Sequence, residues 1–187
     1  MANISQKEFW EFLTEAELKT WASGNSKYKV EAPTIVGAKQ YSYVRGNWQY
    51  IDTFLTSEDK REFWGFEIVY LIDNQEKECK AVMIRQYSGK LIDVVDLEKA
   101  DMLYAHLRDF RKKWLELPLA ERQQRVMLQN NPQEDPEEDA RKAISMAYRR
   151  LTLADTEGPY QEETLEVASV TILRHQFRIV MMAELAP

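Results

Sequence analysis

A chain of 187 residues that is 44% apolar and 30% charged has the balance of a folded, water-surrounded domain and not of a disordered segment. Its net charge of −6 disfavours direct binding to nucleic acid, which needs clustered Lys and Arg against phosphates. No stretch approaches the roughly 18 uncharged apolar residues of a membrane span, residues 1–8 lack the basic start and apolar run of a signal peptide, and the single cysteine, Cys79, leaves no internal disulfide. The expectation is therefore a cytoplasmic protein with no membrane partner, in which Cys79 is a small strand residue and not a nucleophile.

In chain order, Ser5 and Glu8 read as a capping box, with Glu8 reaching back to the cap amide. Phe9, Phe12, Leu13 and Ala16 follow at helical spacing, which predicts a helix over 6–21 that Gly24-Asn25-Ser26 stops. Residues 28–39 read as irregular. Gly46-Asn47 then reads as a two-residue hairpin turn with glycine first, as a type II′ turn prefers. That turn sets Arg45 against Trp48, Tyr43 against Tyr50 and Tyr41 against Asp52, and period-2 alternation puts these six on one sheet face. Ser42, Val44, Gln49, Ile51 and Thr53 take the other face.

A charged loop over 56–62 leads to a third strand over 63–72, a polar turn over 73–78 and a fourth strand over 80–87 that Ser88-Gly89 ends. If Leu71 faces Ala81, then Glu67 faces Arg85 and Val69 faces Met83; a slip of one residue would undo the pair. Asp96 caps a long amphipathic helix whose stripe is Leu97, Ala100, Leu103, Tyr104, Leu107, Phe110 and Trp114, with Pro118 at its end. Arg108, Arg111, Lys112 and Lys113 lie near its C-terminus, where basic residues complement the helix dipole without needing a partner. A short helix is expected over 120–128, an acidic proline-bearing linker over 130–139, and a helix over 140–151. Residues 165–185 read as two strands broken near Arg174-His175, with a helix from Arg174 as the alternative.

Four groups of residues carry a family resemblance. They are Phe12-Leu13, Ala16 and Thr20-Trp21-Ala22; Tyr50-Ile51-Asp52-Thr53-Phe54; Phe63, Gly65 and Glu67; and Tyr87 with Gly89. In this order and spacing they resemble a bacterial domain of unknown function with the pattern FLxxAxxxTYA, YIDTY, FxGxE and YxG, found alone or C-terminal to helix-turn-helix transcription regulators. The resemblance covers about residues 9–92. Trp21 and Phe54 stand where the pattern has tyrosine. Only a few residues precede the first helix in this sequence, so the DNA-binding role of the fused relatives is not carried over. The pattern brings no catalytic residues and does not account for residues from Asp93 on.

Two groupings bear on chemistry. Asp52 and Glu67 each interrupt an apolar, strand-like block, and a buried carboxylate needs a partner; paired carboxyls can divide acid and base roles, but a cross-strand pair with Arg85 explains Glu67 structurally. Tyr41, Tyr43, Arg45, Trp48, Tyr50 and Asp52 form an aromatic face with polar tips, poorly suited to a dry core and better suited to a ligand or a partner surface. His106 reads as solvated and His175 as a turn residue, and neither has metal-ligand spacing. No nucleotide loop or nucleophile elbow is present in the sequence.

The expected fold is α+β: an antiparallel sheet of four to six strands packed against two or more helices. It forms one domain over 1–187, with 1–116 as the family-like core and 117–187 as an extension that adds strands to the same sheet. The expected function is a non-enzymatic binding or regulatory module using the aromatic face, without cofactor or metal, for a small molecule or a protein. A carboxylate-dependent hydrolase or isomerase and an acidic inhibitor protein are the alternatives.

Overall fold

The computed structural model describes residues 4–24, 26–32, 35–73, 78–92, 100–118, 120–121, 146–155, 158–167 and 170–186. Strand β1 (Ile4–Ser5) leads directly into helix α1 (Gln6–Lys19). The Ser5 hydroxyl accepts the Glu8 N–H at 3.5 Å, while Oε1 of Glu8 accepts the Trp48 indole N–H at 2.9 Å, tying the helix start to the sheet. The helix stops two residues earlier than expected. Both the backbone N–H and the hydroxyl of Thr20 donate to the Ala16 carbonyl, and a 3-10 turn, Trp21–Ser23, follows.

Strands β2 (Lys29–Glu31), β3 (Lys39–Arg45), β4 (Trp48–Thr56), β5 (Glu62–Asp73) and β6 (Glu78–Leu91) come next, then helix α2 (Ala100–Glu116), then β7 (Met146–Asp155), β8 (Gly158–Val167), β9 (Val170–Met181) and β10 (Leu185–Ala186). Eight strands form one sheet in the order β2-β3-β4-β5-β6-β9-β8-β7, and its neighbours pair antiparallel throughout. β1 and β10 pair separately and in parallel. The α+β class expected from the sequence holds: an antiparallel sheet packed against helices.

The β3–β4 register is the expected one, with Arg45 opposite Trp48, Tyr43 opposite Tyr50 and Tyr41 opposite Asp52. Gly46 has φ +57 and Asn47 is not among the residues with positive φ, as a type II′ turn requires and a type I′ turn forbids. Glu67 faces Arg85 and Val69 faces Met83, but Leu71 faces Lys80 and not Ala81. A bulge absorbs the difference: Val82 is the extra residue, and its carbonyl accepts the Met182 N–H at 2.8 Å.

Other expectations are corrected. β6 does not end at Ser88-Gly89 but runs on to Leu91, because Gly89 and Lys90 stay paired with β5 on one side and Gly89 to Leu91 with β9 on the other. Residues 146–151 are not helical. Their Ala, Met, Arg and Leu favour helix locally, but the segment is paired along its length with β8, and pairing outweighs propensity. Arg174 and His175 lie inside β9 and do not break it. The positions of Asp96 and Leu97, residues 122–128 of the expected short helix, the acidic linker over 130–139, residues 140–145 and the His106 side chain lie outside the described residues.

The core lies between α1 and the sheet. Phe9, Phe12, Leu13 and Ala16 bury against Trp48, Tyr50, Val69 and Met83, and each large apolar side chain so buried contributes about 1.5–3 kcal/mol. α2 packs beside α1 over the Trp21–Ser23 turn. Among the described residues no helix is long and apolar enough to cross a membrane.

Candidate functional site

Beyond the end of α1 the same sheet face is lined by three cross-strand rows. The first is Lys29, Tyr41, Asp52, Glu67 and Arg85. The second is Lys39, Phe54, Gly65, Tyr87 and Phe177, and the third is Thr56, Phe63, Gly89 and His175. Paired residues share a face, so these rows form one continuous floor.

Two glycines shape that floor. A Cβ on Gly65 would overlap the Thr53 carbonyl oxygen and sit 2.6 Å from the Tyr87 hydroxyl oxygen. The Tyr87 ring therefore lies across Gly65, and its hydroxyl donates to Oδ1 of Asp52 at 2.6 Å. A Cβ on Gly89 would overlap the Phe63 ring, which lies across that glycine with its centroid 4.9 Å from the His175 ring. His175 is thus a buried floor residue, set edge-on to Tyr87 at 5.6 Å, and not a turn residue.

Where the first row passes under α1 and α2, it joins a buried charge cluster. Arg85 donates to both Glu17 and Glu67, and Arg111 donates to Oε2 of Glu17 at 3.0 Å. All four are at most 3% exposed. Arg111 is therefore not a solvated dipole complement but a partner of Glu17. Asp52, directly opposite Glu67, brings the cluster to three carboxyls against two guanidiniums. Burial drives the Asp52 carboxyl well above the usual carboxylate range and the neighbouring Glu67 charge adds to this; the Tyr87 hydrogen bond and Arg85 oppose it. Burial also pushes Glu67 up to about 7, with Arg85 pulling against it. Asp52 is the carboxyl of the three without an arginine in hydrogen-bond contact; its partner is the Tyr87 hydroxyl.

A cavity of about 570 Å³ opens over this floor. Tyr41, Asp52, Phe54, Phe63, Tyr87 and His175 line it from the sheet. Trp21, Tyr104, Leu107 and Arg108 close it from the helix side, and Lys29, Lys39 and Lys60 stand among its lining residues. The Tyr41 and Phe54 rings are stacked, 5.7 Å apart and 16° from parallel. Tyr104 donates its hydroxyl to the Lys60 carbonyl at 2.6 Å and fixes the loop after β4 against α2.

The six candidate face residues divide. Tyr41 and Asp52 line the cavity. Tyr43 and Arg45 both bind the Glu15 carboxylate of α1 at 2.5 Å; burial and that carboxylate push the Tyr43 hydroxyl up to about 12. Trp48 and Tyr50 are buried under α1, with Trp48 stacked on Phe12 at 5.5 Å. The two predicted roles of the acids also meet: Glu67 pairs with Arg85 as expected, and Asp52 stands beside it on the same face. Sequence reasoning missed Glu17, Arg111, Tyr87 and His175 as parts of the site. Two of these had a signal, since Glu17 continues the Phe9–Leu13 stripe of α1 and Arg111 lies between Leu107 and Trp114 on the stripe of α2.

Compared with protein-family models, curated proteins and solved structures, the chain matches none. Among the described residues no three His, Cys, Asp or Glu side chains group as a metal site.

Proposed function

We propose that this protein is a non-enzymatic binding or regulatory module whose ligand occupies the cavity over Tyr41, Asp52, Tyr87 and His175. The observation that carries the reading is the floor itself: a concave, aromatic-lined space of about 570 Å³ with a buried carboxyl at its base, in the size range of small-molecule sites. The resemblance to the bacterial domain supports it in part: of the motif residues, Trp21, Asp52, Phe54, Phe63 and Tyr87 line this cavity and Gly65 and Gly89 shape its floor, while Phe12, Leu13, Ala16 and Tyr50 belong to the core under α1. A domain that also occurs beside helix-turn-helix regulators is suited to sensing a ligand.

The test is a thermal-shift screen of small molecules on the wild type and on Thr56→Trp, which places an indole in the cavity from an exposed position. Ligands that raise the melting temperature of the wild type and not of the filled variant support the reading. A screen in which every stabilising compound acts equally on both would end it.

A second reading has one observation in its favour. Asp52 and Glu67 lie opposite each other on one face, and Asp52, which lines the cavity and whose pKa burial raises, could serve as a general acid in a hydrolase or isomerase. Glu67, however, is held by Arg85, so the two do not divide acid and base roles over one substrate. Turnover abolished by Asp52→Asn with ligand binding retained would favour the enzyme.

A further inference from the structure

The cavity has an electrostatic asymmetry. Lys29 from β2, Lys39 from β3 and Arg108 from α2 converge on one side of it, and none forms an ion pair among the described residues. The Lys29 ammonium lies 5.9 Å from the Tyr41 ring centroid and 5.6 Å from that of Phe54, and burial, then Lys39, then Arg108 hold its pKa below the ordinary lysine value. The contrast is Lys60, which also lines the cavity but is neutralised by Asp101 at 2.8 Å. Glu58, which lines the cavity together with Asp52 and Asp101, forms no ion pair with the three cations. Three like charges brought together from three elements repel one another unless an anion joins them. They do so in a chain whose net charge is −6, so the cluster runs against the overall charge. The Asp52 carboxyl at the base forms no ion pair with the three cations among the described residues; its partner is Tyr87.

We propose that the cavity takes a small planar anion, an aromatic molecule bearing a carboxylate or phosphate, with its charge among Lys29, Lys39 and Arg108 and its ring on the Tyr41–Phe54 platform. This rests on the reading of the cavity as a binding site. The recognition chemistry is of two kinds. Flat rings accept a flat ring by offset stacking, and cations at the mouth fix the charged end in charge-assisted hydrogen bonds.

The experiment uses the full chain and two fluorescent probes of nearly the same shape. One is 1-anilinonaphthalene-8-sulfonate; the other is the uncharged N-phenyl-1-naphthylamine. Each is titrated into the wild type, into Thr56→Trp, and into a variant combining Lys29→Gln, Lys39→Gln and Arg108→Gln. The three exchanged side chains are exposed or half-buried, and circular dichroism checks that the variant folds. The expected result is that Thr56→Trp removes binding of both probes. The triple variant weakens the sulfonate about tenfold or more, since three partly screened charge contacts add, and leaves the neutral probe within about twofold. If both probes bind in the cavity and the triple variant weakens them equally or not at all, the anion assignment falls while the cavity reading stands. Absence of any binding that Thr56→Trp blocks overturns the cavity reading itself.

Discussion

Gly65→Ala tests whether the glycine, the tyrosine and the aspartate act as one unit. The added methyl would sit 2.6 Å from the Tyr87 hydroxyl oxygen and 2.7 Å from its ring carbon Cζ, with the Thr53 carbonyl of β4 on its other side. The carbonyl oxygen would be the nearest atom, at 2.4 Å, and belongs to a central strand paired on both sides, so the ring must move and the backbone of β4 or β5 must shift with it. Overpacking of this kind costs about 1–3 kcal/mol. Moving the ring also breaks the 2.6 Å bond from Tyr87 to Asp52 and leaves a buried carboxyl without its donor, a further ~1–3 kcal/mol. The combined loss of about 2–6 kcal/mol corresponds to a fall of roughly 10 °C in melting temperature for a domain of this size. Tyr87→Phe isolates the second contribution, because it removes the hydroxyl and adds no volume. Urea unfolding of both variants, read by circular dichroism, should place Gly65→Ala clearly below Tyr87→Phe. A Gly65→Ala protein within about 0.5 kcal/mol of the wild type, the range of an ordinary surface substitution, would refute the close-approach argument.

Two further outcomes follow from the same geometry. Glu67 rises from its ordinary 4.5 to about 7 in the folded protein and Asp52 is raised well above 3.8, so between these limits the folded state binds more protons than the unfolded state. Stability is therefore greatest below about pH 4.5 as far as these two groups are concerned, and falls as pH rises through 7, by roughly 3 kcal/mol for Glu67 alone. Glu15, whose carboxylate is held below 4.5 by Tyr43 and Arg45, acts in the opposite sense only at lower pH. Melting temperature measured from pH 5 to 8 should decline, and Asp52→Asn should shallow the decline; a rise with pH would contradict the assignment. Trp48→Ala and Tyr50→Ala should each cost about 3–5 kcal/mol, because both rings are buried against α1; stable, cooperatively folded single variants would show that this end of the face is not core.

What could be read from the chain depended on whether the determining interaction was local. Gly46-Asn47 sets the β3–β4 register within a few residues, and all three predicted pairs are present. The Glu67–Arg85 pair was reached through Leu71 and Ala81, which do not face each other; the bulge at Val82 lies between that pair and the turn. No local signal announces a bulge, so the agreement came from the parity of the strands below it. The opposition of Asp52 and Glu67 was not legible because the loop between β4 and β5 has no defined turn type, and one residue more or less would separate the acids. His175 and residues 146–151 were misread for a related reason. Their conformation is imposed by strands β6 and β8, distant in sequence, while their own composition points to a turn and a helix. The aromatic face was legible as a face, but its division was not. Which rings lie under α1 and which border the cavity depends on where the helix ends, and Thr20 ends it by donating twice to the Ala16 carbonyl.

That helix end is what makes a cavity possible on an otherwise covered sheet. Up to Ala16, α1 fills the space over Trp48 and Tyr50 with Phe9, Phe12 and Leu13. Past it, the chain turns through Trp21 and the next cover is α2, which reaches the floor through Tyr104 and Leu107. The floor in this gap is low as well as uncovered, because Gly65 and Gly89 lay the Tyr87 and Phe63 rings down flat. An apolar residue at position 52 would complete a dry floor at less cost, since a buried carboxyl loses hydration that one tyrosine hydrogen bond offsets only in part. Glu17 adds to that cost through its charge, and Arg85 lowers it. A carboxyl at the bottom of an aromatic cavity, raised above the ordinary carboxylate range by burial and positioned by a tyrosine that only a glycine lets pass, is what the proposed ligand site would use across β4, β5 and β6.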